Sequence, residues 1–174
     1  MNFDGGVRRS ATWILVLFLS ACGAAPPPPA PPAIPKSVND HFDVRVGTEV
    51  VHMQLAVLDQ EQQRGLMERG VLQPNEGMIF VNAAPSRQSF WMHDTPTPLD
   101  IGFFTPDGRL AEIYPLLPFD ERLVSTHSDR IQFALEMNQG WFHQHGVGLG
   151  AQIDFKALAA ALKARGFEPA KYMK

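Results

Sequence analysis

Five consecutive residues, Trp91-Met92-His93-Asp94-Thr95, bring an aromatic ring, an imidazole, a carboxylate and a hydroxyl together immediately before Pro96. They follow a short apolar run, and loop residues at such exits are where binding and catalytic groups concentrate. With Met92 turned inward, Trp91 and His93 share the opposite face, an arrangement suited to stacking a planar or sugar-like ligand beside a titratable group. Trp91, His93, Asp94 and Thr95 are therefore the candidate ligand-binding residues. The competing reading is structural: Asp94 and Thr95 satisfy backbone groups in the Pro96-Thr97-Pro98 turn, because Asx and Ser/Thr turns use the same residue types.

Two more carboxylates interrupt apolar segments. Leu99, Ile101 and Phe103 surround Asp100, and Phe133, Leu135 and Met137 surround Glu136. If each segment is a strand, both acids point away from their apolar neighbours, and the expectation is that they share one surface. A carboxylate pair near a histidine supports general acid–base chemistry when burial raises one pKa, which makes His93, Asp94, Asp100 and Glu136 the catalytic candidates. The alternative is a salt bridge to Arg64 or Arg69. His143 and His145 raise a metal reading, but their segment reads as a helical turn ended by Gly146, and i and i+2 side chains diverge on a helix. No metal or other cofactor is expected. The sequence has no serine nucleophile elbow, phosphate-binding glycine loop or zincin helix.

The elements that must position these residues are mostly short strands. Phe42, Val44 and Val46 alternate with polar residues, Gly47-Thr48 reads as a turn, and Val51, Met53, Leu55 and Val57 alternate again, which predicts a β-hairpin. Asp59 followed by Gln62 resembles a capping box for a helix to about Met67. Residues 77–81, 88–92, 99–104, 109–116 and 132–137 are further strand candidates, with Pro106-Asp107-Gly108 as a hairpin turn. Phe155, Leu158, Ala159 and Leu162 fall at helical spacing behind Asp154 as a cap, ending before Gly166. The sum is a mainly β domain over residues 37–174, an antiparallel sandwich or barrel with two or three short helices, one at the C-terminus. Met67, Met78, Met92 and Met137, spread over different segments, read as core fillers.

The motifs Arg64-Gly65-Leu66-Met67, Gly77-Met78-Ile79-Phe80, Phe90-Trp91-Met92, Pro98-Leu99-Asp100-Ile101, Asp107-Gly108 and Leu135-Glu136 resemble, in order and spacing over about residues 42–153, the family called domain of unknown function 192. The resemblance implies one compact, jelly-roll-like β domain of a kind often found in exported bacterial proteins, and no established reaction. His93-Asp94 stands where that family more often has Lys-Asn, and Ala151 where an Asp is common.

The N-terminus sets the expected location. Arg8 and Arg9 precede an apolar run over residues 11–19, which is too short to span a bilayer at about 20 residues. Leu19-Ser20-Ala21-Cys22 resembles a lipobox, so residues 1–21 are expected to be a signal peptide and Cys22 the lipid attachment site. Residues 24–35 hold seven prolines and read as an extended spacer. Cys22 is the only cysteine, so no disulfide or cysteine nucleophile is expected. Removing Asp4, Arg8 and Arg9 would take the net charge from −3 to −4. With no basic cluster, this argues against nucleic acid as a partner. The expected location is a cell-envelope membrane, the outer one facing the periplasm where two exist. The expected role there is a non-catalytic module that binds a small molecule, glycan or protein segment; the alternative is an envelope hydrolase or lyase using Asp94, Asp100 or Glu136 with His93.

Overall fold

A computed structural model describes Met1 and residues 35–173; the expected signal peptide beyond Met1, Cys22 and the proline segment to Ile34 lie outside the described residues. The predicted hairpin is present as β1 (Phe42–Val46) and β2 (Glu49–Ala56), antiparallel, with Val46 opposite Glu49. The short helix α1 (Asp59–Arg64) follows, then β3 (Glu76–Ser86) and β4 (Ser89–Phe90). Next come β5 (Leu99–Phe104), β6 (Leu110–Leu116), β7 (Val124–Ser125) and β8 (Ile131–Asn138). The chain closes with α2 (Trp141–Gln144), α3 (Phe155–Ala164) and a 3-10 turn (Pro169–Lys171).

Six strands form one sheet in the order β1-β2-β3-β8-β5-β6, and β4 pairs with β7 in a separate two-stranded sheet. The protein is mainly β, as its alternation patterns require, but the sheet is mixed. β2 and β3 run parallel, because α1 and its flanking loops carry the chain back to the starting edge before β3 begins. All other pairs are antiparallel, and the large sheet stays open, with β1 and β6 at its edges.

Strand alternation splits the interior into two layers. Met53, Leu55, Ile79, Leu135 and Met137 pack with Trp141 and Phe142 of α2 and with Leu158 and Leu162 of α3. Burying a leucine of this kind stabilises by about 2 kcal/mol. On the other face Met78, Phe80, Ile101, Phe103 and Ala134 lie with Leu66, Leu72 and Met92, which belong to loops and not to helices. Met78, Met92 and Met137 are buried in the core, whereas Met67 is only half-buried.

Local chemistry explains the helix ends. Asp154 caps α3, its Oδ1 accepting from the Ala157 amide at 3.0 Å, and Gly166 follows at φ +82°. α1 departs from expectation. Glu61, not Gln62, takes the backbone donors at its start, accepting from the Val57 and Leu58 amides at 2.9 and 3.0 Å, and the helix stops at Arg64 because Gly65 turns to φ +46°. A buried ion pair fastens both helices to the sheet. Arg165, just past α3, pairs with Glu61 at 2.5 Å and donates to the Leu55 carbonyl.

Candidate functional site

The register of three central strands decides which carboxylate reaches which face. Glu136 lies opposite Met78 on β3 and Ile101 on β5, so its side chain joins the loop-covered face. Asp100 lies opposite Met137 and therefore points to the helix-covered face, where it accepts from the Gly140 amide at 2.7 Å. The expectation that the two acids share a surface is thus wrong. Alternation within each strand was read correctly, but the pairing offset between the strands inverts their relation. The expected cations are engaged elsewhere: Arg64 pairs with Glu68 at 3.1 Å, and Arg69 donates to Gln54 at 2.6 Å.

Glu136 is 5% exposed and sits in the lining of a cleft of about 360 Å³. Aromatic side chains Phe80, Phe90 and Trp91 make part of the wall, with Phe80 and Phe90 edge to face at 5.0 Å. α1 and the turn after it contribute Gln62, Gln63 and Met67, while Asn82, Ser89 and Thr95 add further polar groups. Burial alone pushes the Glu136 carboxyl up to about 8, and no hydrogen bond or charge from the described residues offsets it. Other half-buried acids in the fold are satisfied. Glu61 has two amides and Arg165, Glu76 has His41 and the Gln73 amide, and Glu112 has Tyr114 with two amides. Asp100 is also raised by burial, but its bond from Gly140 opposes the shift.

The loop carrying Trp91 and Thr95 is held in a strained conformation. Three non-glycine residues with left-handed backbone, Glu68, Asp94 and Phe119, have φ of 59°, 49° and 57°. They are tied together, since the Glu68 amide donates to the Asp94 carbonyl at 2.7 Å and the Phe119 amide to the Thr95 carbonyl at 3.1 Å. The Met92 amide donates to the Asp120 carbonyl at 2.9 Å. Such conformations persist only where surrounding bonds over-determine them, and they cluster at ligand sites.

Met92 points inward, and Trp91 and His93 stack on the outer side at 5.0 Å with planes 20° apart. Trp91 is 47% exposed and lines the cleft, as does Thr95, whose hydroxyl donates to the His93 carbonyl at 3.0 Å. His93 and Asp94 are not in the lining. His93 bonds Glu121 at 2.8 Å and lies 3.3 Å from Asp94. Its pKa is raised first by the bond to Glu121 and then by the Asp94 charge. The proposed acid–base set of His93, Asp94, Asp100 and Glu136 therefore does not assemble: Glu136 is in the cleft, His93 and Asp94 lie on the outer side of the Trp91 loop, and Asp100 is across the sheet. Glu136 had a sequence signal, a charge inside an apolar strand. Gln62, Phe80 and Ser89 had none, because the parallel crossover and the small β4–β7 sheet bring them in.

His143 is exposed, and His145 stacks on Trp141 at 4.7 Å with its Nδ1 2.9 Å from the Trp141 carbonyl. Among the described residues no three His, Cys, Asp or Glu side chains converge as a metal site. No described helix is long and apolar enough to cross a membrane.

Fold and site together define an open mixed-sheet domain with a ligand-sized cleft under a strained aromatic loop. The chain belongs to the DUF192 family, described as Uncharacterized ACR, whose model matches residues 42–155. A crystal structure of a protein of unknown function from Novosphingobium aromaticivorans DSM 12444 is similar, with 32% identity and a TM-score of 0.64, covering 73% of this chain and 94% of that one. A Sinorhizobium meliloti 1021 protein provisionally called a transcription regulator is also similar, with 26% identity and a TM-score of 0.64, covering 68% and 96%. No curated protein matches the chain.

Proposed function

We propose that this chain is a binding module for a small ligand, held at a cell-envelope membrane by lipid on Cys22, and that the ligand occupies the cleft between α1 and the Trp91 loop. One observation carries the binding reading: the Glu136 carboxyl lies in the cleft lining with no partner from the described residues. A hydrogen bond supplied to such a largely desolvated carboxyl is worth about 0.5–1.5 kcal/mol net, more if charge-assisted, and a ligand in the cleft can supply it. The mixture of aromatic walls with a few convergent polar groups is that of a small-molecule site. The support for anchoring is the sequence alone, in Leu19-Ser20-Ala21-Cys22 and the proline spacer.

A screen of metabolites and envelope glycans, read by ligand-observed NMR, tests the binding reading. Hits should be lost in Trp91→Ala with the thermal transition retained. Hits indifferent to both Trp91→Ala and Glu136→Gln would remove the cleft as the site. Intact mass and membrane fractionation of the protein and Cys22→Ser test the anchor, and an unmodified Cys22 in a protein free of membrane would refute it.

A further inference from the structure

We infer that the cleft selects a small organic cation, whose ammonium group docks on the Glu136 carboxylate while its apolar body lies against Phe80, Phe90 and Trp91. The inference rests on the binding reading above and gives it a ligand class. Three features of the cleft lead to it. First, the chain supplies the half-buried acids Glu61, Glu76, Asp100 and Glu112 with donors of its own and leaves Glu136, the most buried, without one. A carboxylate desolvated in this way is completed best by an opposite charge with N–H donors, because hydrogen bonds to ionised groups are about twice as strong as neutral ones. Second, Phe80, Phe90 and Trp91 line the cleft beside it, and aromatic side chains attract cations and tolerate apolar stems. Third, among the described residues no cation pairs with Glu136. Arg64 and Asp59 are the other ionisable side chains of the lining, and Arg64 is paired outward with Glu68. Arg69, from the loop covering the same face, is turned onto Gln54. An anionic ligand would meet only the single O–H donor of a protonated carboxyl at Glu136, with no buried cation beside it to complete the pairing.

Docking has a definite proton balance. The acid is protonated at neutral pH, since burial holds it near 8. An ammonium ligand binds the carboxylate, so the carboxyl proton leaves to solvent, while the ligand keeps its own protons and charge. At pH 7 this is about 0.9 proton released per ligand bound, and affinity rises by nearly tenfold per pH unit until it levels off above about 8.

The experiment compares three probes that share one aromatic body on the full chain: 2-phenylethylammonium, 2-phenylethanol and phenylacetate. Titration calorimetry at pH 7 in buffers of different ionisation enthalpy counts protons, and a second series at pH 8.5 reads affinity. The expected result is roughly tenfold or greater preference for the ammonium over the alcohol at pH 8.5, proton release at pH 7, and loss of both in Glu136→Gln with alcohol binding retained. The probe comparison on the unaltered protein decides the matter even where the variant folds poorly. Equal affinity for ammonium and alcohol, or ammonium binding without proton release, overturns the cation inference and leaves the cleft as a binding site. No binding heat with any probe at tens of millimolar overturns the inference and counts against the binding reading too.

Discussion

Replacing Glu136 by Gln keeps the shape of the side chain, removes its proton equilibrium and should change how stability depends on pH. Burial holds the folded carboxyl near 8, whereas the ordinary value is 4.5. Between these values the unfolded chain releases a proton that the folded chain keeps. The contribution is therefore fully present below about pH 4.5 and is lost as pH rises to about 8. The gap corresponds to about 5 kcal/mol at most. Water entering the cleft solvates the carboxylate and lowers that figure, but even about 2 kcal/mol moves a urea midpoint by roughly 1 M. Urea unfolding of both proteins at half-unit steps from pH 5 to 8.5 measures the effect. The wild type should lose stability across the range, and the difference in favour of Glu136→Gln should widen towards pH 8. His93, also raised above its ordinary value, gives a slope of the same sign, because it binds its proton more tightly when folded. It is present in both proteins and cancels in the difference. Parallel curves for the two proteins would refute the idea that Glu136 is buried without a partner.

Asp100→Asn should leave ligand affinity unchanged within twofold while lowering stability by about 1 kcal/mol through the weakened bond to Gly140, which calorimetry and urea melts check separately. Arg165→Ala should cost about 3–5 kcal/mol, because it strips Glu61 of its buried cation, and a urea midpoint reads it. The pair also predicts acid sensitivity. Glu61 is held below its ordinary value by the Leu58 and Val57 amides and by Arg165, against burial that raises it, so its contribution is present above about pH 4.5 and lost below. Gly102→Ala should destabilise by about 1–3 kcal/mol, since a Cβ there would come within 2.6 Å of the Phe142 ring, and a thermal melt compares it with wild type.

Much of the fold was legible because it depends on local pattern. The alternation of Phe42, Val44 and Val46 against Val51, Met53 and Leu55 gave the first hairpin, Pro106-Asp107-Gly108 the second, and the spacing of Phe155, Leu158 and Leu162 the final helix. What depends on pairing between distant strands was not. Nothing near Asp100 or Glu136 reveals that Asp100 pairs with Met137, and a one-residue change in that offset would have put both acids on one face. The parallel β2–β3 contact was hidden for the same reason, because α1 looks like a decoration until the strand after it is placed. At the site, Trp91 and Thr95 were visible as residue types in an informative run, and Glu136 as a charge where apolar residues were due. Gln62, Phe80 and Phe90 were invisible as site residues, since each has a satisfactory local role in a helix or strand. His93 and Asp94 adjoin Trp91 in sequence, but they are not in the lining of the cleft, and His93 stacks on the indole instead.

The most direct measurement is an amide and side-chain shift map during titration with 2-phenylethylammonium, combined with 13C detection of the Glu136 carboxyl. Perturbations should centre on the Trp91 indole N–H, the Gln62 side-chain amide and Thr95, and the Glu136 carbon should move from the protonated to the ionised position at pH 7 as ligand is added. Perturbations centred on the exposed Phe119 and Leu123 or on the helix-covered face around Asp100, with the Glu136 carbon unmoved, would contradict a ligand site built on Glu136.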